Sequence, residues 1–567
     1  MSESNRSWPT RARWGVSILA LATAACGTSV TDGEGPNGSN GGSNPGGGAG
    51  PGPGPMIETG VDPGRVEIHR LNNKEYNNTV RDLLGTTSQP AAKFLAEEGL
   101  NFDNTASALG MTGPQYEAYF EAARALVAEP AAPGRYATCM PTTAADPCAR
   151  QNIQAFGLKA YRRPLDVAEV DRAMKVYDAE FARSSSGAEA MALTARAMLS
   201  AANFLYRIEY DQNPQSLTPH SLSAYELASR LSYFQWSTMP DQALFDAAAS
   251  GAIFDEAAIE AQVDRMLSDP KAADFVESFA GQWLDVREIP THSIVPSVFP
   301  TYSNELADAM LVETYLWFQE FINNDRPLSD WFTSDFNYVN DVLAQHYGMP
   351  LPGTGGQFAR IEHTTDQRRG FLGLASFLTH TSFPSRTSPT LRGVWVLSEL
   401  LCDPPPPPPP DVPELAESAA PDEMGQAEGT ENVKERLERH RTDPACAGCH
   451  RILDPMGLGL ERYDGIGRYR ETYGNGDAID PAGTLPDGTA FAGPDQLSTI
   501  LSQDPRFGAC VASKLYTYAL GREVETLDAP ILDKLKTDWE TRGMTLRNLM
   551  KEVATSNAFR FRRGEAQ

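Results

Sequence analysis

Apolar residues along much of the chain recur at the three- and four-residue spacing of helices, and several of these runs begin where a side chain can cap them. In Leu71-Asn72-Asn73-Lys74-Glu75-Tyr76, Asn72 is placed to cap, Glu75 to reach back to it, and Leu71 to staple onto Tyr76. The run continues through Val80, Leu83 and Leu84 to Gly85, a natural left-handed stop. The pattern repeats at Asp166 with Glu169, after Pro164, and at Ser223 with Glu226, where Leu222 and Leu227 supply the staple. Leu306, Met310, Trp317 and Phe321 fall on one face of a helix beginning near Ser303, a stripe that reads as core. The prediction is a mainly α, multi-module helical protein with minor β-hairpins. One hairpin is expected about the Pro486-Asp487-Gly488 turn, between Thr484-Leu485 and Thr489-Ala490-Phe491.

Stretches without this periodicity divide the chain. Residues 27–56 are nearly all Gly, Ser, Asn and Pro, which bury too little apolar surface to offset the entropy of ordering and so predict a flexible spacer. Pro404 to Pro410 are consecutive prolines and must form polyproline II, about 3.1 Å per residue and about 22 Å in all. That is a stiff connector, with a proline-recognition ligand as the alternative. Residues 411–430 are acidic, small and polar, and a short helix is expected from about Glu431 to His440. The expected organisation is a signal peptide at 1–26, a linker at 27–60, helical modules at 62–135, 136–212 and 213–350, a module at 360–470 carrying the strut and a Cys-x-x-Cys-His motif, and a C-terminal module at 471–567.

Charge narrows the partners. With 74 Asp+Glu against 48 Lys+Arg the 567-residue chain has a formal net charge of −26, which repels phosphate backbones and anionic membrane surfaces, so no nucleic acid is expected. Arg6, Arg11 and Arg13 precede an apolar stretch from Trp14 to Ala25, and Cys26 follows. This is a secretory signal, too short to span a bilayer. Cys26 after Thr23-Ala24-Ala25 resembles a bacterial lipobox with Thr23 where Leu or Val is usual; plain cleavage after Ala22-Thr23-Ala24 is the alternative. The expected location is the cell envelope, periplasm or outer surface, with membrane contact only through a lipid on Cys26.

The seven cysteines are Cys26, Cys139, Cys148, Cys402, Cys446, Cys449 and Cys510. If Cys26 takes lipid and Cys446 with Cys449 serve one cofactor, four remain for two disulfides in an oxidising compartment. Three pairings are open; proximity favours Cys139–Cys148, which leaves Cys402–Cys510.

Asp443-Pro444-Ala445-Cys446-Ala447-Gly448-Cys449-His450 contains Cys-x-x-Cys-His, the attachment signature of covalent haem c. Two thiols three residues apart on one turn reach the two haem vinyl groups, and His450 then presents its imidazole to the iron as proximal ligand. Competing readings are a thioredoxin-like redox pair, which lacks a βαβ setting, a zinc site, which lacks a second ligand pair, and a vestigial motif closed as a Cys446–Cys449 disulfide. Residues Ile452 to Glu461 read as apolar side chains alternating with tight turns, able to wall a haem, with a backbone carbonyl near Pro455 accepting the imidazole N–H. Met456 lies too near His450 to reach the opposite haem face easily. His440, Met544 and Met550 are freer sixth ligands, and an open distal position is the alternative. Asn475, Asp477 and Asp480 lack the spacing of a calcium loop and read as a solvated turn. No nucleophile elbow, HExxH or phosphate loop is present, and His69, His220, His292, His346, His363 and His380 each read as structural.

Several phrases belong together: RLNNKEYNNTVRDLLG (70–85), AYRRPL (160–165), YELASRLSYFQWSTMPD (225–241), RTSPTLRGVWVLSELLCDPPPPPPP (386–410), CAGCHRILDPMGLGLERYDGIGRYR (446–470) and YALGR (518–522). In this order the chain resembles the exported cytochrome-associated proteins of planctomycetes and myxobacteria, built from serial domains of unknown function. The resemblance covers roughly residues 65–560. It implies an exported, mainly helical protein with a single c-type haem motif at Cys446, Cys449 and His450, and it implies no substrate. Leu is usual in the family where Met456 stands.

These readings point to an exported c-type haem protein, an electron carrier or haem-dependent oxidoreductase at the envelope, acting on a redox partner or an unknown envelope substrate. In the haem reading the segment around the motif is cytochrome c-like; the alternative is a haem-free surface binding or scaffold protein in which Cys446 and Cys449 form a small disulfide.

Overall fold

The three capping boxes form where the sequence predicts them. Asn72, Asp166 and Ser223 each accept from the backbone N–H three residues on, and Glu75, Glu169 and Glu226 accept from the capping residue's own N–H. Gly85 closes the first helix, Asn73–Leu84, in the left-handed conformation at φ 70°, as does the C-terminal Gly521 for the helix Pro505–Leu520. The computed structural model describes residues 62–65, 67–97, 101–211, 214–406, 433–442 and 444–564. The segment 1–26 with Cys26, the linker 27–60, Pro407–Pro410 and the acidic stretch 411–430 lie outside the described residues. The fold is mainly helical with small antiparallel strand pairs. The helix expected from Ser303 runs Asn304–Asn323 with Ser303 as its cap, and the hairpin pairs Ala482–Thr484 with Ala490–Ala492.

Helices along the chain pack into two hydrophobic cores. In the first, Tyr76 meets Tyr119 and Phe204 at ring-centroid distances of 5.1 and 6.0 Å. It gathers apolar side chains from helices Asn73–Leu84, Gly113–Val127, Pro147–Ala160, Val167–Ser184 and Gly187–Leu199. The second core takes side chains from the helix Ala224–Trp236 through to Phe559. The segments 62–135 and 136–212 therefore share one core, and the three segments after residue 213 share the other, which Phe102 also enters from the first segment. Single amphipathic helices of this length bury their apolar faces only against helices contributed from elsewhere in the chain.

Each core is clipped shut by a two-residue strand pair. His69 pairs with Arg207 and Arg70 with Tyr206, joining the start and end of the first. His220 pairs with Arg562 and Ser221 with Phe561, tying the entry of the second to the chain's last described turn. Tyr233, on the helix Ala224–Trp236, crosses from one to the other: its ring belongs to the first core and its Oη lies 2.9 Å from Thr79 Oγ1. At the centre of the second core the fully buried Trp331 is ringed by Trp317, Phe318 and Phe321, centroids 4.8, 5.7 and 5.3 Å away, contacts of tilted and edge-to-face geometry.

Disulfides join Cys139 to Cys148 and Cys402 to Cys510. Just ahead of Cys402 the helix Pro389–Trp395 widens into a π-helical turn, Val396–Leu400. In that turn the Glu399 carbonyl accepts the Trp283 indole N–H at 2.7 Å. Among the described residues no helix is long and apolar enough to cross a membrane.

Candidate functional site

Cys446, Cys449 and His450 lie on one helix, Pro444–Leu458. Spacings of three and four residues put them on one face. Cys446 and Cys449 are both half-buried and are not joined to each other; Cys449 packs against the second core. The helix continues well past His450, so the reading of Ile452 to Glu461 as alternating turns is corrected: turns begin only after Leu458. Pro455 is accommodated inside the last turns, and Leu453, Met456 and Leu458 are buried.

Helical continuation gives His450 a different partner from the backbone carbonyl expected near Pro455. Its Nδ1 lies 2.9 Å from Oδ1 of Asp454, one turn on and fully buried. Thr390 Oγ1 donates to the same carboxylate oxygen at 3.1 Å, and Arg441 Nε stands 3.8 Å from the other. In a neutral imidazole, a carboxylate beside Nδ1 favours the tautomer with the proton on that nitrogen and the lone pair on Nε2.

The helix is held by an unusually close crossing with the helix Pro389–Trp395. A Cβ on Gly457 would overlap the Pro389 carbonyl oxygen, and one on Gly393 would overlap that of Leu453. Glycine is needed at both positions for the backbones to touch. Arg392, fully buried on the same helix, then reaches across. Its Nη1 donates to the carbonyls of Leu460 and Tyr463 at 2.8 and 2.9 Å, and its Nη2 to that of Asp464 at 2.9 Å. The buried Glu461 completes the lock, accepting from Thr387 Oγ1 at 2.7 Å and Arg470 Nη2 at 2.8 Å. The two phrases RTSPTLRG and CHRILDPMGLGLERYDGIGRYR are thus the two halves of one interlocked structure.

Candidate sixth ligands are dispersed. Met456 is buried in the second core; Met550 is fully buried on the helix Leu546–Thr555; Met544 precedes that helix, its Cε beside Gly508. The side chain of His440 lies outside the described residues. His69 Nε2 meets the Asn104 carbonyl and His346 Nε2 that of Ile466, at 2.8 Å in the latter, so both serve the fold. Asn475 donates to Asp477, and Asp480 pairs with Lys434. Among the described residues no three His, Cys, Asp or Glu side chains gather as a metal site.

Asp454, Thr390 and Arg441 were not foreseen as parts of the site. Asp454 carries a readable signal, since it stands four residues after His450. The Pro and Gly residues around it read as turns and hid that spacing. Thr390 is brought in by tertiary packing, which leaves no local mark.

Fold and site define a multi-module helical protein whose Cys-x-x-Cys-His helix is locked into a shared core. Five family models, each described as a protein of unknown function, match in series: DUF1587 at 69–132, DUF1595 at 148–209, DUF1592 at 222–349, DUF1588 at 368–473 and DUF1585 at 487–559. This series is the architecture of the cytochrome-associated proteins of planctomycetes and myxobacteria, and the chain belongs to that family. The DUF1588 match contains both halves of the interlock. No curated protein and no solved structure matches the chain.

Proposed function

We propose that the protein is an exported c-type haem protein that transfers electrons or performs haem-based redox chemistry at the cell envelope. The observation that carries this reading is the placement of Cys446, Cys449 and His450 on one helical face, with the Asp454 carboxylate 2.9 Å from His450 Nδ1. The donor set suits haem c. Each thiol would add its S–H across a vinyl group with nothing released, and the lone pair on Nε2 is the one a proximal ligand needs. Bound haem would supply the one-electron couple. The chain's own residues do the positioning. Asp454, anchored by Thr390, orients His450; the glycine crossing fixes the helix; and Arg392 with Glu461 keeps the following loop from moving.

Export through the N-terminal signal and lipidation of Cys26 would tether the body by its 27–60 linker, within reach of an envelope redox partner. A second reading, a haem-free envelope scaffold, is favoured by the two disulfides, which brace the body independently of any cofactor.

The test is an absorbance spectrum, oxidised and dithionite-reduced, of protein exported from a host with c-type maturation machinery, beside a Cys446→Ala/Cys449→Ala control. A reduced α-band that survives denaturation and is absent from the control supports haem c, and carbon monoxide then probes the distal position. Colourless protein would favour the scaffold.

A further inference from the structure

Where the two cores meet, a cavity of about 60 Å³ is lined by Arg162, Arg163, Arg207, Arg230 and Arg522, with Ser229 among them. So many guanidinium groups around one small space in a chain of net charge −26 call for an account of what neutralises each. Arg163 is matched by Glu169, both contacts 2.8 Å. Arg230 is matched by Glu209 at 2.5 and 2.7 Å, and Arg522 by Asp528 at 2.7 Å twice. Arg65 and Glu67, also at the wall, pair with each other at 3.0 Å. The remaining carboxylate there, Glu226, spends its oxygens on the backbone N–H groups of Tyr210 and Ser223.

Two guanidinium groups are matched less completely. Arg162 donates to the carbonyls of Asn203, Phe204 and Tyr206, at 2.6 to 3.1 Å, and among the described residues no carboxylate lies within ion-pair distance of it. Arg207, its side chain 13% exposed, faces Glu75 at 3.5 Å and lies over the Tyr233 ring, 4.9 Å from its centroid, while its Nε is buried with no hydrogen-bond partner among the described residues. Ser229 is 8% exposed, and its Oγ is buried without a partner. A buried Nε–H and a buried hydroxyl, both without a hydrogen-bond partner and both in the wall of one cavity, are costly unless something in that cavity meets them.

We propose that this cavity binds a small oxyanion, gripped by the Arg207 guanidinium with Ser229 Oγ as a second donor. Arg207 is on a strand of the first core and Ser229 on the helix Ala224–Trp236 of the second, so the ion clamps one core to the other. The space holds about four to six water-sized groups, which fits acetate or phosphate. A guanidinium fork suits either oxyanion. His69, in the same wall, registers the local field: burial, and after it the nearby Arg207, hold its imidazole well below the ordinary range.

The test is isothermal titration and thermal melting of the full chain with sodium acetate and with sodium phosphate, at constant ionic strength against sodium chloride. One of the two should saturate at one ion per chain and raise Tm with concentration; which one does separates a carboxylate site from a phosphate site. Arg207→Gln should weaken that binding about tenfold or more. Ser229→Ala, which removes only a hydroxyl inside a helix and keeps the fold, should weaken it by a smaller factor and lower the Tm gain. Binding no tighter than chloride for both ions, or an unchanged affinity in Ser229→Ala, would overturn the proposal even if Arg207→Gln fails to fold.

Discussion

His450 Nδ1 and Asp454 Oδ1 meet at 2.9 Å on one helical face, the carboxylate wholly buried and held from a second helix by Thr390. A carboxylate partner makes an imidazole a stronger electron donor than a carbonyl partner does. In the haem-loaded protein, Asp454→Asn should therefore raise the midpoint potential while leaving the covalent α-band intact, as read by spectroelectrochemical titration. The same substitution should cost about 1–3 kcal/mol of stability, because Thr390 and Arg441 lose a charged acceptor. An unchanged potential would mean that Asp454 does not act on the ring.

Three glycines on the two crossed helices separate packing from propensity. Gly457 and Gly393 face carbonyl oxygens of the opposing helix, whereas Gly448, between the two thiols, has open space where a Cβ would go. Gly457→Ala and Gly393→Ala should each destabilise by about 1–3 kcal/mol or more, since backbone must move to admit the methyl group. Gly448→Ala should instead stabilise by up to about 1 kcal/mol through helix propensity. Urea denaturation midpoints of the three variants check the contrast, which a general intolerance of alanine in this helix would erase.

The two groups of glycines also show what a sequence carries and what it does not. Capping boxes at Asn72, Asp166 and Ser223 were legible because every partner lies within three residues, as was the stripe from Leu306 to Phe321. The Cys-x-x-Cys-His motif was legible for the same reason. Gly457 and Pro455 carried a misleading local signal: both favour turns, yet here they permit a helix to touch its neighbour. Arg392, whose partners lie some seventy residues on, left no local pattern, nor did the two-residue clips at His69 and His220. Five modules sharing two cores is a consequence of such distant contacts, and spacing along the chain does not encode them.

The two disulfides differ in the length of chain they close. Cys139 and Cys148 are 9 residues apart and Cys402 and Cys510 are 108 apart. Loop-closure entropy assigns about 3 kcal/mol to the short loop and about 5 kcal/mol to the long one. Cys402→Ala/Cys510→Ala should therefore lower Tm more than Cys139→Ala/Cys148→Ala, and it should do so in the second core. Scanning calorimetry of the two double variants measures the difference. Equal losses would show that the unfolded chain between Cys402 and Cys510 is already constrained.

Glu313 makes the second core sensitive to pH. It is fully buried on the helix Asn304–Asn323, accepting from Asn337 Nδ2 at 2.5 Å and Tyr347 Oη at 2.6 Å. Burial pushes its carboxyl up to about 8, with the two hydrogen bonds opposing only in part. Between the ordinary carboxylate pKa of about 4.5 and this value, the folded chain keeps a proton that the unfolded chain has released. Folding then takes up a proton, so this group's contribution is fully present below about pH 4.5 and is lost as pH rises through about 8. Glu313→Gln removes the titration while retaining an acceptor for Asn337 and an N–H for the Tyr347 oxygen. The variant should match the wild type at pH 5 and exceed its stability by a few kcal/mol at pH 9, measured by chemical denaturation at both values. Parallel pH profiles would show instead that Glu313 is ionised throughout, its charge carried by Asn337, Tyr347 and the nearby Arg368.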